Sequence, residues 1–196
     1  MDFKMFTERI KNLIINPAEE WRAIKEEPDD KAAVIREYAL PFIVLLALSN
    51  FLGILIFKNY VTIVFMVVST LVVFIGAFLS IHISASIINQ MAPSFGSIKD
   101  ITKAYKLVIY SYTAVFITHS IANLIPPLFF IVILGLYSVY ILWVGLGILM
   151  ETPEDKKMVY MLSSALVLFV VYTLLNFLLG AISTSVLVSY GMNTLT

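Results

Sequence analysis

From Tyr38 to Val188 the chain is written almost entirely in apolar residues with brief polar punctuation, whereas before Tyr38 apolar and charged positions alternate. Runs that long and that uniformly apolar are unsuited to the core of a soluble domain and read as membrane spans, each needing about 20 residues. The pattern predicts five, at residues 38–57, 61–88, 104–125, 126–150 and 158–188, the first two separated by Lys58-Asn59-Tyr60. The third is the most polar, carrying Tyr105, Tyr110, Tyr112, Thr118, His119 and Asn123. The fourth opens on Pro126 and Pro127, which suit a first helical turn because its leading amides lack internal partners. The fifth would be about 46 Å long at 1.5 Å per residue, so it must tilt, protrude or break near Gly180.

Ahead of the spans, residues 2–15 place Phe3, Phe6, Ile10, Leu13 and Ile14 at helical spacing opposite Asp2, Lys4, Glu8, Arg9 and Lys11. That is an amphipathic helix able to lie in a membrane interface. Asn16 offers an N-cap, Pro17 a first-turn residue and Glu19 an N3 carboxylate, so a second short helix runs to Glu27 and stops at Pro28. Its Trp21 and Ile24 share one face, read either as an interface anchor or, with Phe3, Phe6 and Ile10, as a docking face for a partner. The fold class expected is therefore all-α, a polytopic bundle of five transmembrane helices preceded by amphipathic cytosolic helices. The segments are 1–36, 37–190 and a short exoplasmic tail at 191–196.

Composition agrees, with 60% hydrophobic residues and only 13% charged ones and a mean hydropathy of +0.95, far from the roughly 25% charged residues of soluble domains. Residues 1–15 do not read as a signal peptide, because charges interrupt any apolar block. Charge placement fixes an orientation: of thirteen Lys and Arg only Lys58 falls opposite the rest, and all thirteen acids lie with the majority. The positive-inside rule then puts the amino terminus in the cytosol and the carboxyl terminus outside. Lipid attraction by charge is weak, because residues 1–37 hold seven bases against nine acids.

Ionisable and polar groups inside spans are the candidates for function. These are His82, Asn89, Tyr112, His119, Asn123 and Asn176. The two histidines are expected to stay apart, His82 about 31 Å along an inward-running span and His119 about 22 Å along an outward-running one. No carboxylate falls within a span, and the chain has no cysteine, Walker loop, dinucleotide fingerprint, HExxH or GxSxG. No cofactor, metal site or enzymatic activity is expected, nor nucleic-acid binding, since the few bases are interleaved with acids. Gly76, Ser80 and Ser84 form a small-residue stripe on the second span, and Gly145 and Gly147 thin the fourth, which suits close helix packing within the chain or between two copies.

The stretches "NPAEEWRAIKEE" at 16–27, Pro41 at the first span, and "YSYTAVFITHSIANLIPPLFFIVILGLYSVYILWVGLGILMETPEDK" at 110–156 give the chain a layout that resembles the Yip family, small Ypt/Rab-interacting membrane proteins. They combine a tyrosine-rich third span, a proline-led fourth, a Tyr-x-x-Tyr pair and a Gly-x-Gly exit. The Asp-Leu-Tyr-Gly-Pro signature of eukaryotic members is absent from "PDDKAAVIREYALPF" at 28–42. The resemblance thus implies a prokaryotic-type member in the inner membrane, a non-enzymatic scaffold or adaptor in membrane organisation or trafficking. Its implied partners are membrane lipids, a cytosolic or membrane protein, or a second copy of the chain. The alternative is a small-solute or ion transporter or channel using the hydroxyls, Asn50, His119, Asn123 and Asn176.

Overall fold

The computed structural model describes residues 3–58 and 61–192, and among these every regular element is helical. Two short helices lead, α1 (Phe3–Ile15) and α2 (Pro17–Glu26), followed by α3 (Lys31–Phe57) and α4 (Ile63–Met91), which ends in a 3-10 turn at Ala92–Phe95. Next come α5 (Ile101–Ser111) and α6 (Thr113–Leu124), a long 3-10 stretch (Pro126–Leu136), α7 (Tyr137–Ile148) and α8 (Glu154–Met192). Four continuous helical runs are long and apolar enough to cross a membrane. A fifth crossing results when α5 and α6, bent by 42° at Tyr112, count as one span. The chain is a helical membrane bundle with four or five crossings among the described residues, and the expected third span is bent at Tyr112. The expected boundary at 36/37 falls within α3, Gly191 and Met192 finish α8, and 193–196 lie outside the described residues.

Local chemistry explains each irregularity. Pro41 cannot donate to the carbonyl four residues back, and the ladder just before it widens to a π turn in which the Leu40 amide reaches Ile35 O. At the break between α5 and α6 the Thr113 hydroxyl donates to Tyr110 O at 2.6 Å and accepts from the Tyr38 hydroxyl at 2.8 Å. The amide of Val115, left without a helical partner, donates to Ser138 Oγ at 3.2 Å. Pro126 and Pro127 carry no N–H, so the carbonyls of Ala122 and Asn123 lose their helical donors. Asn123 O settles instead against Gly53, where a Cβ would stand only 1.8 Å from it. Only glycine permits that approach.

At the charged end the connections lock together. Glu151 sits at φ 52°, in the left-handed region, which lets Thr152 turn back and give both its amide and its hydroxyl to Leu146 O. Ser97 Oγ donates to Thr152 Oγ1 at 2.9 Å, and the Ile98 amide to Met150 O at 3.0 Å. The loop before α5 and the turn before α8 therefore meet at one end of the bundle. At the other end α8 continues without a break through Gly180 and protrudes, with Leu174, Phe177 and Leu178 exposed.

The seam between α4 and α8 answers the small-residue stripe within the chain: Ser80 and Ser84 are buried, and a Cβ on Gly76 would touch Leu179 at 3.5 Å. Two glycine substitutions separate a required glycine from a free one. Gly53→Ala should lower stability in detergent by about 1–3 kcal/mol or more through overpacking. Gly180→Ala, which would meet nothing within 4 Å, should leave it unchanged or raise it by roughly 0.5–1 kcal/mol through helix propensity. Thermal unfolding of the purified variants compares them.

Candidate functional site

The amino-terminal helices do not float beside the bundle; they are part of its core. Leu13, Trp21 and Ile24 belong to one buried cluster with Phe42, Ile81, Leu107 and Ile141. The Trp21 indole donates through Nε1 to Ile141 O at 2.9 Å, meets Tyr110 edge to face and lies on Gly145, whose Cβ would stand 2.7 Å from its ring. Trp21 and Ile24 are thus fully buried, and the expected anchor or partner face is an internal one. Periodicity had identified the apolar side of α2 correctly but not what covers it.

A second tie runs through Lys106, one of the twelve bases on the majority side. Lys106 is buried in the middle of α5, where Ala104 to Ala114 are all buried. Its ammonium has three hydrogens and meets three oxygens: Ile24 O at 3.4 Å, Glu27 O at 3.0 Å and Asp29 Oδ1 at 2.8 Å. Two of these are carbonyls at the carboxyl end of α2, where the helix dipole favours a cation. A lysine amid "AYKLVIY" was the available signal.

Arg9 of α1 completes the clamp. Its guanidinium bridges Glu20, through Nε at 2.9 Å, and Glu27, and lies over the Tyr110 ring at 5.4 Å. Phe6 packs on Tyr38 and Phe42, and Ile10 packs against the same core. Phe3, by contrast, is 82% exposed. Asn16 precedes α2 as expected, but its side chain caps no amide and donates instead to Glu19 Oε2 at 2.5 Å. Along α7, the Tyr137 hydroxyl donates to Ile14 O at 2.7 Å, and Lys25 pairs with Glu151 at 2.7 Å. That hydrogen bond holds the Glu151 carboxyl below its usual range, so the attraction is intact at neutral pH and is lost as pH falls through the lowered value.

With its inner side fixed, the hairpin presents Glu19, Arg22, Lys25 and Glu26 outward, with Lys25 paired to the exposed Glu151. This charged, immobilised surface is the candidate site.

Of the intramembrane polar groups, Tyr112 and His119 line one cavity with Ser138, Tyr172 and Thr173, while His82, Asn89, Asn123 and Asn176 lie outside it. His82 Nδ1 bonds Phe78 O at 2.8 Å with its ring against Phe78 and Tyr105, while His119 Nδ1 bonds Val115 O at 3.0 Å beside Tyr172. Tyr112 shares a hydrogen bond with Ser80 at 3.2 Å. Asn89 leaves a buried Oδ1 unpaired, and the exposed Asn176 donates to Tyr172 O. Asn123 contributes its backbone carbonyl at Gly53, Pro126 and Pro127 are exposed, and Gly147 makes room for Lys157, which lies over Trp143. Among the described residues no three potential metal ligands cluster.

The Yip1 domain family matches residues 11–176. No curated protein and no solved structure matches the chain.

In a Trp143→Phe background, Trp21 should emit at short wavelength and resist acrylamide. Gly145→Leu should shift that emission to the red and expose it to quencher. Trp21→Ala should cost about 3–5 kcal/mol, the usual range for emptying a buried aromatic site.

Proposed function

Because the chain belongs to the Yip family of membrane proteins, its Yip1 domain reaching from residue 11 to residue 176, we propose that it is a non-enzymatic scaffold or adaptor whose working surface is the outer face of the α1–α2 hairpin. In this reading the hairpin, the loop before α5 and the turn before α8 lie in the cytosol, and the far end of α8 lies outside, as the positive-inside rule requires. The carrying observation is that α2 is held on its inner side by Trp21 and Lys106 while Glu19, Arg22 and Glu26 remain exposed. A face held rigidly before contact spares a partner much of the ordering cost of binding. The mixed signs on that face suit a protein with complementary charges better than an anionic lipid surface.

What favours this reading over a small-solute transporter or channel is that Asn50, His82 and Asn176 lie apart from the cavity that Tyr112 and His119 share. Asn50 bonds Ser69, the histidines bond carbonyls of their own helices, and Asn176 lies on the exposed side of α8.

In-cell photocrosslinking tests the reading at single positions. Crosslinkers at Arg22 and Glu26 should each trap a protein adduct, while one at Trp21 should link only to α5 or α7 of the same chain. Lipid adducts alone from positions 22 and 26 would refute an adaptor role for this face.

A further inference from the structure

A cavity of about 310 Å³ lies between α6, the 3-10 stretch with α7, and α8. It exists because the 3-10 stretch packs chiefly on α6, and because Gly135, Ser138 and Ala165 are small residues in its wall. Along α8 the wall extends from Ala165 to Thr173, about 12 Å at 1.5 Å per residue. Leu136 and Phe169, each 67% exposed, also line it, so its mouth opens on the outer surface of the bundle. In a bilayer that surface faces hydrocarbon, and what enters sideways is dissolved in the membrane.

The lining is apolar except for a few groups with hydrogen-bonding capacity to spare. His119 Nδ1 lies 3.0 Å from Val115 O. A carbonyl only accepts, so Nδ1 carries the hydrogen, and in the neutral ring Nε2 is then an acceptor. Nε2 has no partner among the described residues, and neither has the Tyr172 hydroxyl. An unmet acceptor in hydrocarbon is costly, because it forgoes the hydrogen bond that water would supply. A ligand with an O–H on an apolar chain would supply both the missing donor and the missing packing.

We propose that this cavity binds one chain of a membrane-dissolved lipid bearing a terminal hydroxyl, as in a long-chain alcohol or an un-ionised fatty acid, with the O–H donating to His119 Nε2. The apolar lining and the mouth on the lipid-facing surface suit a hydrocarbon chain arriving from the membrane better than a water-borne solute. The site lies apart from the α1–α2 hairpin, so it stands or falls independently of the adaptor reading.

The test uses the full chain in phosphatidylcholine vesicles with three diazirine probes of equal length: a long-chain alcohol, a fatty acid and an alkane. Adducts are mapped by mass spectrometry. The alcohol or the acid should label Val139, Leu168 and Phe169 several-fold above the alkane, and which of them does so identifies the source of the hydroxyl. His119→Phe should reduce that labelling to the alkane level, and Ala165→Phe should abolish it for every probe. Trp21 emission reports whether each variant is folded, and competition by unlabelled alcohol or acid on the unaltered chain gives a readout free of mutation. Equal labelling by all three probes, labelling spread evenly around the lipid-facing surface, or no competition would each overturn the proposal.

Discussion

A lysine ammonium cannot rest in the middle of a packed helix bundle without a full set of acceptors, and Lys106 finds all three of its own in the residues that end α2 and follow it. Taking these acceptors away would leave the ammonium desolvated and unpaired, which is strongly destabilising, whereas the half-exposed Asp29 can turn to solvent. The central placement of α5 therefore depends on the amino-terminal hairpin being in place. The dependence runs both ways: α2 alone is ten residues long, too short to be a stable helix in water without tertiary support. Trp21 and Arg9 act in the same direction, one filling the space that Gly145 leaves and the other joining Glu20 to Glu27 above Tyr110.

The 3-10 stretch sets where along the bundle α7 begins: it is kinked at Leu128 (φ −90°, ψ 22°), and its 3-10 turns rise about 2 Å per residue against about 1.5 Å in an α-helix, covering the same height with fewer residues. The exposed apolar surface of the fourth span thus ends at Tyr137 and Tyr140, residues suited to a membrane interface. At that height Tyr137 holds Ile14 and Ile141 holds Trp21. The outer face of α2 is thus charged and exposed although its inner face is core.

How much of this was legible in the sequence follows from the scale of each signal. Long apolar runs and one-sided charge are properties of twenty-residue windows, so the helical membrane bundle and the common end shared by the two charged connections could be read directly. The Pro126-Pro127 start of the fourth span was legible too, since proline fixes backbone geometry locally. The role of Trp21 was not, because an amphipathic stripe has the same period whether it meets lipid, a partner or the chain's own spans. Lys106 was hidden for a related reason: hydropathy counts a lysine near a span end as a surface charge, and only tertiary structure brings carbonyls from residues 24 and 27 to it. The bend in the third span and the need for glycine at position 53 likewise arise between helices, from Tyr38 meeting Thr113 and from the Asn123 carbonyl that Pro127 frees.

Amide hydrogen exchange on the full chain in lipid nanodiscs tests most directly whether the hairpin is an integral part of the bundle. Amides from Leu13 to Ile24 should exchange as slowly as those of α5, and Lys106→Ala should accelerate both segments together. Fast exchange across residues 13–24 beside a protected α5 would contradict it.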